Sequence, residues 1–121
     1  MKKITMQNAV DKLLERIPEF KEYNYQLYKD NLNLPTIIFD FFGDFLLERS
    51  KMYSPEDIVI KKSFDFINEM QDSDDPEVQN LSQVGVFEVL ASSKEGTVIA
   101  EKYLGKKIRK GIKKHKRGQR N

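Results

Sequence analysis

The chain has 121 residues, of which 39% are hydrophobic and 33% charged, a balance that predicts one folded domain and excludes wholesale disorder. It contains no cysteine, which excludes a disulfide framework, a cysteine-ligated zinc site and a thiol nucleophile. Although the net charge is only +2, all 19 acidic residues and 11 of the 21 Lys and Arg residues lie within residues 1–101, so this part carries −8 and the last 20 residues carry +10. This asymmetry indicates that the acidic body and the basic end have different tasks.

The first residues, MKKITMQNAVDKLLE, are not typical of a signal peptide. Two lysines are followed by polar residues instead of an apolar run of about 7 to 15 residues. The longest apolar stretch is interrupted by Asp40 and Asp44, which leaves it well short of the roughly 20 residues that span a membrane. We therefore expect a cytoplasmic protein of bacterial type without a membrane span.

A first amphipathic helix is predicted over residues 4–16, with Thr5 as its cap. Its apolar residues recur at a spacing of three to four: Ile4, Val10, Leu13, Leu14 and Ile17. Pro18 ends this helix and begins another, because proline disfavours helical geometry in the preceding residue and fits a first turn. The second helix is predicted to run from about Glu19 to Asn31.

The third predicted helix is Thr36–Ser50, with the sequence TIIFDFFGDFLLERS. It holds four of the eight phenylalanines, and its length favours a helix over a buried strand. Apolar residues four apart, such as Ile38 and Phe42, predict a broad buried surface that the other helices cover. Gly43 is expected to allow the close approach of another element.

Two sequence patterns predict the starts of further helices. Ser54-Pro55-Glu56-Asp57 combines a capping serine, a proline for the first turn and acids near the positive end of the helix dipole. Asp75-Pro76-Glu77 repeats this pattern after a polar break, and its helix is apolar on most sides. A sixth helix is predicted to carry Val98, Ala100, Leu104 and Ile108.

These elements predict an all-α fold, a compact bundle of five or six helices in antiparallel hairpins. No strand pattern with a hairpin turn occurs. A single helical domain is predicted over residues 1–108. The dense like charge of residues 109–121 predicts a flexible basic tail.

Several short motifs carry a resemblance to known proteins. Residues 55–91, with Asp75, Pro76 and Val78 in an Asp-Pro-x-Val turn, resemble one HEAT-type hairpin, which implies HEAT-like packing. The wider order of motifs is Pro18-Glu19-Phe20, Leu34-Pro35, Phe42-Gly43-Asp44-Phe45, Glu77-Val78-Gln79-Asn80-Leu81 and Tyr103-Leu104-Gly105. This order resembles a group of small helical bacterial proteins, some of which are immunity proteins that neutralise toxins delivered in contact-dependent inhibition. The resemblance implies a non-catalytic binder of a toxin domain, with no cofactor.

Asp40, Asp44 and Glu48 fall on one line of the third helix, where like charges four apart are destabilising. Three interpretations are open. The line is a solvated face neutralised by Arg49 and Lys51, a binding ridge for a basic partner, or a carboxylate metal site without histidine support.

A second acidic group consists of Asp72, Asp74, Asp75 and Glu77. It lacks the glycine and the spaced glutamate of an EF-hand loop, so it is either a turn with a helix cap or part of the same binding surface. Tyr25 and Tyr28 of the second helix are either core-edge residues or aromatic anchors at an interface. His115 has no acid placed near it and is not a catalytic candidate.

These features favour two possible functions. The first is an immunity protein whose acidic helical surface covers the basic substrate cleft of a toxin nuclease. The alternative is a nucleic-acid-binding or ribosome-associated protein that uses residues 106–120 to neutralise phosphates. That tail could equally pack on the acidic body of its own chain. No catalytic or phosphate-binding motif predicts an enzyme.

Overall fold

The computed structural model describes residues 4–23, 29–31 and 33–103. Within them the fold is all-α, and no strand occurs, which confirms the predicted class. The elements are α1 Ala9–Arg16, α2 Pro18–Glu22, a 3₁₀ turn Lys29–Asn31, α3 Pro35–Met52, α4 Ile58–Gln71, α5 Pro76–Ser82, a π-helical segment Gln83–Phe87, α6 Glu88–Ala91 and α7 Lys94–Tyr103.

Helix α3 is the centre of the bundle. It packs against α1, α4, α5, the π segment, α6 and α7. Of the two lines predicted from the four-residue spacing, Ile38, Phe42 and Leu46 are fully buried, whereas Ile37 and Phe41 of the other line are only partly buried. The prediction that the other helices cover this stretch is therefore confirmed.

Two glycines let α3 and the π segment come into backbone contact. A Cβ atom built on Gly43 would lie 2.5 Å from the carbonyl oxygen of Gly85, and one built on Gly85 would lie 2.9 Å from the carbonyl carbon of Phe39. At distances this short, a side chain at either position would force the neighbouring backbone to shift. The close approach expected at Gly43 is confirmed, and its partner is a second glycine.

The amino-terminal turn is held by two reciprocal hydrogen bonds. Thr5 N donates to Asn8 Oδ1 over 2.7 Å, and Asn8 N donates to Thr5 Oγ1 over 3.2 Å, as in a capping box. The predicted role of Thr5 is thus confirmed, although regular α1 begins only at Ala9.

The second helix is interrupted early in its predicted range, of which residues 24–28 lie outside the described residues. It ends at Glu22, because Tyr23 adopts extended geometry with φ −75° and ψ 113°. This geometry places the Tyr23 ring 5.3 Å from that of Phe45 and 6.3 Å from that of Phe20, between ring centroids. Packing onto the aromatic core therefore overrides continuation of the helix.

The start of α4 also differs from the prediction. Asp57 rather than Ser54 is the cap: its carboxylate accepts a hydrogen bond from Ile60 N over 3.2 Å. Ser54 instead forms the preceding turn, with its carbonyl accepting from Asp57 N. Asp57 is favoured as the cap because its carboxylate also forms an ion pair with Arg49 of α3. A serine hydroxyl cannot form an ion pair.

The predicted fifth helix runs without a break from Pro76 to Ala91 but changes winding in the middle, where residues Gln83–Phe87 form a π segment. One extra residue per turn rotates the helix so that Val86 and Phe87 join Val78 and Leu81 in the core. The sequence pattern does not indicate this change, because apolar residues on most sides hide the shift in period.

A polar cluster joins α4 to α5. The Gln71 side-chain amide donates to the carbonyl of Gln79 over 3.0 Å and to the hydroxyl of Ser82. Gln83 Nε2 donates in turn to Gln71 Oε1 over 3.3 Å. These bonds tie the first turns of α5 and the start of the π segment to the end of α4, as a short hairpin requires.

The last described helix, α7, differs in one predicted residue. Ala100 is buried as expected, but Val98 is 47% exposed and its neighbour Ile99 is in the core. Packing on α6 through Gly96, which lies against the backbone of Leu90, sets this rotation. Leu104, Ile108 and the predicted tail 109–121 lie outside the described residues, so the domain boundary at 108 stays a prediction.

Candidate interaction surface

The line Asp40, Asp44 and Glu48 lies on the exposed side of α3. The opposite side of the same helix carries the buried Phe39, Phe42 and Phe45. Thr36, one turn earlier, and Met52, one turn later, are exposed as well, so the outward line extends over the whole helix.

The cations expected to neutralise this line do not do so. Arg49 turns away: its Nε donates to Asp57 Oδ2 over 2.7 Å, and its guanidinium lies 4.3 Å from the Tyr53 ring centroid. In the described part of the chain, no ion pair joins Lys51 to any of the three acids. The face is solvated, as that interpretation predicts, but Arg49 is paired with Asp57 instead of with the three acids.

Partial burial and repulsion act together on these carboxyls. Desolvation, followed by the charges of Asp44 and Glu88, raises the pKa of Asp40 above its ordinary value. Desolvation, followed by the charge of Glu48, raises the pKa of Asp44. The neighbouring negative charges thus destabilise the ionised forms of Asp40 and Asp44.

Glu88 is a fourth member that the sequence did not indicate. It is the first residue of α6 and is exposed, and its charge reaches Asp40 on α3. The glycine crossing just before it in the chain brings α6 this close to α3. We call Asp40, Asp44, Glu48 and Glu88 the acidic face.

Several other acids of the described surface form ion pairs with basic residues. Lys62 Nζ lies 2.7 Å from Glu19 Oε1, joining α4 to α2, and Arg16 of α1 binds Glu69 of α4. Glu56 binds both Lys102 and, over 3.5 Å, Lys61. The three α3 carboxylates of the acidic face have no such partner among the described residues, and two of them, Asp40 and Asp44, have a pKa raised by desolvation and by neighbouring acids of the same face.

The second predicted acidic group is a structural turn. Asp75 caps α5 by accepting from Glu77 N over 2.9 Å, and Ser73 Oγ accepts from Asp75 N over 3.1 Å. The turn-and-cap interpretation is thus confirmed for Asp75. Asp72 and Asp74 are exposed on the same turn.

Glu77 of this group lies near the start of α3. It borders an open cleft that is also lined by Thr36, Met6 and Asn80. Because Thr36 is one turn before Asp40, this places Glu77 toward the amino-terminal end of the outward line.

The tyrosines are only partly described. Tyr25 and Tyr28 lie outside the described residues. Tyr23 is half-buried against Phe20 and Phe45, as a core-edge residue would be.

The described residues form neither a metal-binding group of side chains nor a membrane-spanning helix. No three His, Cys, Asp or Glu side chains there are grouped so that they could hold a metal ion, the acidic face included. No helix in that part of the chain combines the length and the apolar character needed to cross a bilayer.

A family model described as Domain of unknown function (DUF7674) matches residues 10–119. The chain belongs to this family. The match includes both the helical body and most of the basic end of the chain. No curated protein and no solved structure matches the sequence.

Proposed function

We propose that this DUF7674 protein is a non-catalytic immunity protein of the cytoplasm, which binds a bacterial toxin domain and blocks it. The toxin is a nuclease, and the acidic face covers its basic substrate cleft. The observation that supports this proposal is the acidic face itself, four exposed carboxylates from two helices of which three lack a cationic partner among the described residues.

The acidic face lowers the stability of the free protein. Like charges four apart on a helix destabilise it by about 0.2 to 0.5 kcal/mol per pair. A cationic partner would convert this repulsion into attraction. A nuclease cleft, which is basic because it binds phosphates, has the required charge.

The rigidity of the surface supports the same proposal. Asp40 and Asp44 are carried by the central helix, whose other side is fully buried, so their spacing is held by the core. A pre-organised charged surface speeds association and selects the partner without first paying an ordering cost.

The test uses the toxin-like C-terminal domain of a secreted protein encoded beside this gene. Neutralising the face with Asp40→Asn, Asp44→Asn, Glu48→Gln and Glu88→Gln should lower the association rate about tenfold or more at low salt. The matched control neutralises four exposed acids on α1 and α4, with Asp11→Asn, Glu15→Gln, Asp65→Asn and Glu69→Gln, and should bind almost as wild type. Equal binding and equal protection of cells by both variants would exclude the acidic face as the toxin-binding surface.

A second candidate function is nucleic-acid or ribosome binding through residues 106–120. The charge of +10 in the last 20 residues favours it. Replacing the Lys and Arg residues of this segment with Gln should abolish a salt-sensitive affinity for RNA or DNA, while the immunity function predicts that protection persists.

A further inference from the structure

We infer that the outward side of α3 binds the basic end of its own chain, residues 106–120, in the free protein. This side is defined by Thr36, Asp40, Asp44, Glu48 and Met52, with Glu88 beside it.

Among the described residues, no basic side chain forms an ion pair with Asp40, Asp44 or Glu48. The described basic residues that form ion pairs bind other acids: Arg49 binds Asp57, Lys62 binds Glu19, Arg16 binds Glu69, and Lys61 and Lys102 bind Glu56. The outward side of α3 is not covered by another described element, since its acids are exposed.

The second step is charge complementarity. Residues 104–121 contain nine Lys and Arg residues and no acidic residue, against a body of −8. A tethered partner occupies its site to a greater extent than the same partner free in dilute solution, because tethering raises its effective concentration to the millimolar range. The chain itself is therefore the cationic partner present at the highest local concentration.

The third step is reach. Residue 104 follows α7, which packs directly on α3. Helix α3 has 18 residues and is about 27 Å long. The residues after Tyr103 number 18 and could span up to about 60 Å when extended. The basic segment can thus reach any point of the acidic line.

This contact would make the basic segment a competitor of the external partner. That consequence rests on the proposed function: a weak basic partner would fail to displace the segment, and a strongly basic cleft would succeed. The binding of the segment to α3 does not rest on it and is measured without any partner.

Because the chain has no cysteine, a single Gly111→Cys substitution allows a nitroxide label in the basic segment of the full-length protein. We expect it to broaden the amide signals of residues 40–48 and of Glu88 at low salt. At 1 M salt, where screening acts within about 3 Å, the broadening should be lost. It should also be lost with the four-residue neutralisation of the acidic face and retained in the matched control on α1 and α4.

Three results would overturn the inference. One is broadening centred on another surface, and another is broadening that persists after the acidic face is neutralised. The third comes from mixing isotope-labelled chains that lack the nitroxide with unlabelled chains that carry it: broadening in that mixture would assign the segment to a second copy. Toxin binding that fails while this broadening is present would reject the proposed function and leave the inference intact.

Discussion

Two buried serines show how single side chains differ in what they contribute. Ser82 Oγ donates to the carbonyl of Gln79 over 2.8 Å and accepts from the Gln71 amide. Ser63 Oγ is equally buried but has no hydrogen-bond partner among the described residues. A buried polar group without a partner lowers stability, whereas one with partners is near neutral or favourable.

We expect Ser63→Ala to raise the free energy of unfolding by about 1 kcal/mol, because it removes an unbonded buried hydroxyl. Ser82→Ala, the matched substitution in the polar cluster, should lower it by about 1 kcal/mol. Chemical denaturation of both variants measures the difference. A loss of stability in Ser63→Ala would mean that its hydroxyl has a partner.

At the scale of elements, the crossing of α3 with the π segment organises the bundle. Two glycine backbones meet there, and the changed winding that follows carries Val86 and Phe87 into the core. The same crossing brings Glu88 beside Asp40. Fold and candidate surface therefore depend on one contact between helices.

Gly43→Ala should lower the free energy of unfolding by about 1 to 3 kcal/mol, because the added methyl group meets the Gly85 carbonyl. The sign is diagnostic, since the same substitution in an exposed helix stabilises by about 1 kcal/mol. Thermal and denaturant unfolding measure it. A more stable Gly43→Ala variant would contradict the close crossing.

The junction of α3 and α4 should show a defined pH dependence. The hydrogen bond and charge of Arg49 hold the pKa of Asp57 below its ordinary value of 3.8. A lowered folded-state pKa means that this stabilisation is complete above the ordinary value and is lost as the pH falls through the folded value. Asp57→Ala, which removes both cap and ion pair, should cost about 2 kcal/mol at neutral pH.

Asp57→Asn keeps a capping oxygen but removes the charge, so it should cost less than Asp57→Ala. Its deficit relative to wild type should shrink in acid, as wild-type Asp57 becomes protonated. A deficit that stays constant from neutral pH to below 3.8 would show that the ion pair with Arg49 adds nothing.

At the scale of the whole molecule, the acidic face opposes the fold that presents it. The pKa values of Asp40 and Asp44 are raised, so their contribution to stability falls as the pH rises through the folded-state values above 3.8. The paired acids, such as Asp57 and Glu19, contribute in the opposite direction because their pKa values are lowered.

In a chain whose residues 106–120 carry Gln in place of Lys and Arg, neutralising Asp40, Asp44, Glu48 and Glu88 together should therefore raise the free energy of unfolding at neutral pH by up to about 1 kcal/mol at low salt. The gain should shrink at high salt, where exposed charges are screened. Denaturant unfolding at two salt concentrations measures it. In the intact chain the same neutralisation should give a smaller gain or a loss, because the basic segment already offsets these charges. An equal gain in both chains would contradict binding of residues 106–120 there.

The local patterns of the sequence specify the helical class, the central third helix and the outward line of acids, because each depends on residues a few positions apart. Thr5, Gly43 and Asp75 act as their patterns predict. Contacts between residues of different helices are determined only by the tertiary structure. Those contacts pair Arg49 with Asp57, end α2 where Tyr23 meets Phe45, and place Glu88 beside Asp40. Packing decides these features because each involves side chains from different helices, whose meeting no short-range spacing encodes.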